Sequence, residues 1–198
     1  MLRAEGLSFR YPDAPLPLFR DLDVACAPGD VVGIAGPSGA GKSTLARLLA
    51  GYLRPTAGHV LFADVPLPAE GPCPVQLVHQ LPELAVDPRW KAARIVANGA
   101  PPASDLLEAM GIQPSWLDRF PRELSGGELQ RLALARAIVP SPRILVCDEI
   151  TAQLDPLTQA DIWTALRRLM ASHRLGLVVI SHDQSLLDAL CTRRLELA

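Results

Sequence analysis

Eight consecutive residues, Gly36-Pro37-Ser38-Gly39-Ala40-Gly41-Lys42-Ser43, have the types and spacing needed to hold a phosphate. They fit the pattern G-x-x-x-x-G-K-[ST], in which glycines let backbone N–H groups close on phosphate oxygens. Lys42 would reach the β- and γ-phosphates, and the Ser43 hydroxyl would ligate Mg²⁺. Elsewhere such a stretch could be no more than a glycine-rich turn, so its flanks matter. Val31-Val32-Gly33-Ile34-Ala35 before it reads as a buried strand, and Thr44-Leu45-Ala46-Arg47-Leu48-Leu49-Ala50 after it reads as a helix. A helix opening at Lys42 adds partial positive charge at its N-terminus, where an anion gains most. Nucleotide binding is the expectation.

Two further segments extend this chemistry. Ile144-Leu145-Val146-Cys147 ends in Asp148-Glu149, and an apolar strand ending in acids puts them at the C-terminal edge of a sheet, beside the phosphate loop. Leu124-Ser125-Gly126-Gly127-Glu128, followed by Leu129-Gln130-Arg131, places a serine and two glycines where a helix begins. That arrangement either caps a flexible turn or holds an anion. With these three segments in this order, the chain resembles the ATP-binding-cassette (ABC) ATPases, whose signature is L-S-G-G-[QE], and the resemblance covers essentially the whole chain.

The resemblance implies ATP and Mg²⁺ as cofactors and gives roles to individual residues. ATP would be held by Gly36, Pro37, Ser38, Gly39, Ala40, Gly41, Lys42, Ser43 and Thr44, with Tyr11 stacked on the adenine. Asp148, Ser43 and Gln80 would hold Mg²⁺, Glu149 would polarise the attacking water as general base, and His182 would contact the γ-phosphate. Ser125, Gly126, Gly127 and Glu128 would cap ATP on a second cassette, and Leu154-Asp155 would cross to the opposing site. Catalysis would then need a head-to-tail dimer, with itself or with a similar ATPase, closed by two ATPs.

These residues need elements to position them. Leu7, Phe9 and Tyr11 alternate with polar residues up to Pro12 and read as an edge strand. Further strands are expected at Leu18–Ala25, His59–Phe62, Val75–Gln80, Leu177–Ile180 and Arg194–Leu197, with loop from Val65 to Pro74. Helices are expected from Gly127 to Pro140, Pro156 to Ser172 and Gln184 to Leu190. Between Leu81 and Pro121, prolines punctuate short helical stretches, one of them starting at Ser104. Strands alternating with helices predict an α/β fold with a mostly parallel sheet. The resemblance refines this to a P-loop NTPase (RecA-like) core with an N-terminal antiparallel β portion. The single domain, 1–198, would comprise a nucleotide-binding core at about 1–80 and 140–198 and a helical insertion subdomain at about 81–139.

Composition narrows the classes. At 198 residues, 49% hydrophobic and 20% charged, the chain can bury a core as one domain. A net charge of −2 gives no basic footprint for nucleic acid, and no apolar run reaches the length of a membrane span. No secretory signal opens the chain. Cys26, Cys73, Cys147 and Cys191 are scattered without a C-x-x-C pair, so buried or incidental thiols are expected. Any membrane role would come through a partner.

Within the family, Val75-Gln76-Leu77-Val78-His79-Gln80, Ala85-Val86-Asp87-Pro88-Arg89 and Cys147-Asp148-Glu149-Ile150-Thr151 are similar to nickel, peptide and opine importer ATPases. That implies a peripheral subunit on the cytoplasmic side of the inner membrane. It would partner integral permease subunits, docked through residues 81–121, and a solute-binding protein outside. Glu128 stands where glutamine is commoner, Ile150 where proline is usual, and Gln153 enters the loop before Leu154. The chain ends at Ala198, without the extension many peptide-importer ATPases carry. A soluble cassette ATPase serving DNA repair, translation or cluster assembly is the alternative, and a catalytically dead module a third; Glu149 and His182 speak against the last.

Overall fold

The structure, a computed structural model, describes residues 1–97 and 100–197. Among the described residues, nine strands form two sheets. The first is antiparallel, in the order β2-β1-β4-β5, built from β1 (Leu2–Phe9), β2 (Phe19–Cys26), β4 (Ala57–Phe62) and the two-residue β5 (Val65–Pro66). The second is parallel, in the order β6-β7-β8-β3-β9, from β3 (Val31–Ala35), β6 (Val75–Val78), β7 (Ile144–Asp148), β8 (Gly176–Ile180) and β9 (Arg193–Glu196). The α/β architecture with both sheet types follows the sequence expectation.

Two N-terminal expectations are corrected. The first strand begins at Leu2 and stops at Phe9, so Tyr11 lies beyond it, and β1 is central, paired on one side with β2 and on the other with β4. Its alternation changes phase: Leu2 and Ala4 are buried, then Leu7 and Phe9, with an irregularity in the pairing between Ala4 and Leu7. A bulge shifts the inward face by one residue, which hides the first half of the strand from a period-two reading. The loop expected from Val65 also holds β5, a strand too short to carry any periodicity.

The central parallel strands β3, β7 and β8 are buried on both faces, and their alternate residues serve two cores. Leu145, Cys147, Leu177 and Val179 face one; Ile144, Val146, Val178 and Ile180 face the other. The second core also takes Leu2, Leu7 and Val24 of the antiparallel sheet and Leu45, Leu48 and Leu49 of α1 (Lys42–Leu49), so α1 lies between the two sheets. The first is covered by α4 (Gly126–Ile138) and α5 (Pro156–His173), while α6 (Gln184–Leu190) packs against β3. The segment after Gln80 carries α2 (Ala92–Ala97), α3 (Ser104–Ala109) and 3₁₀ turns at Pro82–Ala85, Pro114–Trp116 and Pro121–Glu123. Its apolar residues Ile112, Leu106 and Met110 join that same first core. Among the described residues no helix is long and apolar enough to cross a membrane.

Candidate active site

Parallel register brings the chemistry to one edge. Val78 pairs with Cys147, Asp148 with Ile180, and Ile180 with Ile34, so β6, β7, β8 and β3 end at one level. The residues just beyond those ends are Gln80, Glu149, Ser181-His182 and the 36–43 loop. Ligands in open parallel sheets bind at this carboxyl edge.

The loop closes on its own lysine. Lys42 is 8% exposed, and its Nζ donates to the carbonyl oxygens of Gly36 at 2.8 Å and Pro37 at 2.9 Å. Gly41 takes a left-handed φ of 92°, and a Cβ there would stand 2.6 Å from the Leu18 side chain, so both conformation and space demand glycine. No side chain caps α1, which leaves its first-turn N–H groups available to an anion.

A cleft of about 480 Å³ opens beside this loop, lined by Tyr11, Ser38, Gly39, Gly41, Lys42, Ser43, Thr44, Gln80 and Glu149. Its size suits a nucleotide. Tyr11 is half-exposed, shares a hydrogen bond of 2.8 Å with the Thr44 hydroxyl, and packs edge-on against Phe9. Leu18 also lines the cleft and was not foreseen; a lone leucine between proline and phenylalanine carries no signal in sequence.

At the far wall, Glu149 is held from two directions. Its Oε2 accepts a long bond of 3.5 Å from Gln80 Nε2 and lies 3.3 Å from His182 Nδ1. Asp148 is buried and bonded to the Ser43 side chain; burial pushes its carboxyl above the usual range, against the pull of Ser43. His79, one residue before Gln80, is shifted down by burial and then by Arg47. An aspartate, a serine hydroxyl and an amide oxygen make a hard donor set of the kind Mg²⁺ takes, and a cation would offset the burial of the Asp148 charge.

The signature segment lies elsewhere. Ser125, Gly126, Gly127, Glu128 and Asp155 do not line the cleft. Ser125 caps α4 reciprocally: its Oγ accepts from Glu128 N at 3.3 Å, and its N–H donates to Glu128 Oε2 at 2.7 Å. The glutamate at this position therefore serves the cap. Asp155 caps α5, accepting from the N–H groups of Leu157 and Thr158, both at 3.0 Å. The two helix starts touch: a Cβ on Gly127 would sit 2.9 Å from Thr158 Cγ2, too close to fit without a shift.

A glycine-wrapped lysine beneath two strand-end acids is the working arrangement of a P-loop nucleoside triphosphatase, and this fold and site define that class. The family model for ABC transporters matches residues 19–152. The nickel import ATP-binding protein NikE of Rhodospirillum rubrum is 34% identical over 189 residues, covering 86% of this chain and 68% of the relative. The lipoprotein-releasing system ATP-binding protein LolD of Xanthomonas oryzae pv. oryzae is 37% identical over 205 residues, covering 94% and 84%. Among solved structures, the dimeric ATP-binding cassette MJ0796 bound to ADP and Pi superposes with a TM-score of 0.84 at 22% identity, over 100% of this chain and 94% of that one. The cbiO1 protein of Clostridium perfringens, part of the ABC transporter complex cbiONQ, gives 0.85 at 25% identity, over 98% and 83%. This chain belongs to the ABC transporter family, as an ATP-binding and ATP-hydrolysing cassette.

Proposed function

We propose that this chain is the ATPase subunit that powers substrate translocation by a membrane ABC transporter, an importer of nickel or peptides. The observation that carries the ATPase part is the meeting of Gln80, Asp148, Glu149 and His182 at one sheet edge beside Lys42 and Ser43. Lys42 and the α1 N-terminus hold the phosphates, and Tyr11 faces the base. Glu149 takes the proton of the attacking water, while Gln80 and His182 fix its carboxylate. Asp148, Ser43 and Gln80 hold Mg²⁺, which when bound would neutralise charge on the β- and γ-phosphates. Ser125 and Asp155, turned away from this chain's own cleft, serve the cleft of a second cassette in a head-to-tail pair.

Nickel or peptide cargo is supported by the likeness to NikE and to the probable D,D-dipeptide transport protein DdpF of Escherichia coli, 35% identical over 184 residues and 87% of this chain, though over only 58% of the relative. A second reading, lipoprotein release, is favoured by the LolD relative, whose match covers more of both chains. In either case the cassette would sit peripherally on the cytoplasmic face of the inner membrane against permease subunits, and in the import case an external solute-binding protein would complete the system.

One variant tests both levels. Glu149→Gln should keep ATP while losing about 10²–10⁴-fold in turnover, the size of a general-base contribution. Trapped with MgATP in mild detergent, it should copurify integral membrane proteins identifiable by mass spectrometry. A metal or peptide permease supports the first cargo reading, and a lipoprotein-handling one the second. Soluble partners alone would overturn the transporter assignment, and near-normal hydrolysis would overturn the role of Glu149.

A further inference from the structure

Glu149 adopts a φ of 50°, a left-handed conformation unfavourable for a residue with a side chain, so the surrounding turn must hold it. Backbone bonds do part of this. Glu149 N donates to Ile180 O at 3.0 Å, Ala152 N to Glu149 O at 3.1 Å, and Leu154 N to Thr151 O at 3.1 Å. One side-chain bond adds a tie from outside the turn: Trp163 Nε1 donates to Thr151 Oγ1 at 3.1 Å. Both residues are buried, Thr151 at 3% and Trp163 at 5% exposure, and both line a small cavity of about 80 Å³ that also borders Glu149 and His182, so losing either partner leaves a buried polar group beside the hydrolytic turn. Trp163 belongs to α5, anchored on the sheet by Ile162, Leu166 and Leu169. It does not line the nucleotide cleft. An apolar side chain would fill the same space; the indole N–H adds direction to the contact.

We propose that Trp163 is a positioning residue for Glu149, its hydrogen bond to Thr151 locking the strained turn that aims the glutamate at Gln80, His182 and the water to be activated. The inference rests on the reading of Glu149 as general base. Because α5 also braces the signature segment, through Thr158 beside Gly127 and Asp161 at 3.7 Å from Arg131, the bond ties the hydrolytic turn to the helix that supports Ser125.

The test is MgATP hydrolysis by the purified chain, with kcat and KM resolved, for Trp163→Phe, Thr151→Val and Thr151→Ser. Each variant is checked for folding by thermal melting. Trp163→Phe and Thr151→Val should each lower kcat roughly tenfold with KM unchanged, since the base remains but is misaimed. The double variant should be no slower than either single one, and Thr151→Ser, which keeps the acceptor, should restore the rate. In a Glu149→Gln background, measured in single turnover, neither change should slow the residual reaction further. Unchanged kcat in both, multiplicative losses in the double variant, or a further drop in the Glu149→Gln background would each overturn the tether. Should Trp163→Phe fail to fold, the Thr151→Val and Thr151→Ser pair decides alone. A Glu149→Gln variant that hydrolyses normally marks failure of the functional reading instead.

Discussion

Lys42 spends two of its donors on the carbonyls of Gly36 and Pro37, so its charge is fixed over the loop before any nucleotide arrives. A lysine held this way loses little freedom on binding phosphate. Removing it deletes a charge-assisted bond worth about 1.5–3 kcal/mol, which corresponds to about a 10- to 100-fold loss of nucleotide affinity. Lys42→Ala should show that loss in a titration with a fluorescent ATP analogue. Unchanged affinity would remove Lys42 from the phosphate site. Asp148 and Glu149 are neighbours with opposite surroundings. One is buried against Ser43, and the other stands on a left-handed turn between Gln80 and His182. That difference separates cation holding from proton transfer on a single strand end.

Among the elements, α5 joins the most functions. Asp155 caps it, Pro156 fixes the backbone of its first turn, and Trp163 reaches back to the hydrolytic turn. The Asp155 carboxyl is held below the usual carboxylate range, first by the Thr158 side chain and then by the N–H groups of Thr158 and Leu157. Because the folded chain then releases this proton more readily than the unfolded chain, stability from the charged cap is complete above the ordinary carboxylate pKa of about 4. It is lost as pH falls through the lower folded value. Asp155→Asn keeps an acceptor for the helix N–H groups but cannot titrate. The parent chain should therefore lose stability relative to this variant as pH falls below about 4. Denaturant midpoints at several pH values check it, and parallel curves would show that the cap does not depend on charge.

For the molecule as a whole, the two cores share the central parallel strands, since β3, β7 and β8 each send alternate side chains to both. They should unfold together. The thiols report on this: Cys26 lies in the core beside α1, and Cys147 in the core beneath α4 and α5. Burial, with a smaller push from Asp30, raises the Cys26 thiol to about 12, and burial raises Cys147 as well. In the native chain at pH 8 both should resist iodoacetamide, while half-buried Cys73 and Cys191 react slowly. With rising denaturant, Cys26 and Cys147 should become labelled at one midpoint, as mass mapping would show. An earlier midpoint for Cys26 would mean that the antiparallel sheet and α1 open on their own.

Residues whose chemistry is local were legible in the sequence. The phosphate loop is eight contiguous residues whose backbone makes the site, so its strand, turn and helix could be read in place, and α6 was read to the residue. The first half of β1 was not, because a bulge between Ala4 and Leu7 changes the phase of the strand, nor was the place of Tyr11, since the strand ends at Phe9 although the alternation runs on. What tertiary structure decided is which distant residues meet. Gln80 and His182 reach Glu149 across 69 and 33 residues only because the sheet order sets β6, β7 and β8 side by side with their ends level. Sheet order also keeps Ser125 and Asp155 out of this chain's cleft, and helix packing brings Trp163 onto Thr151. A sequence names the groups that can react. Strand order and buried contacts, which depend on the whole chain at once, determine which of them share a site.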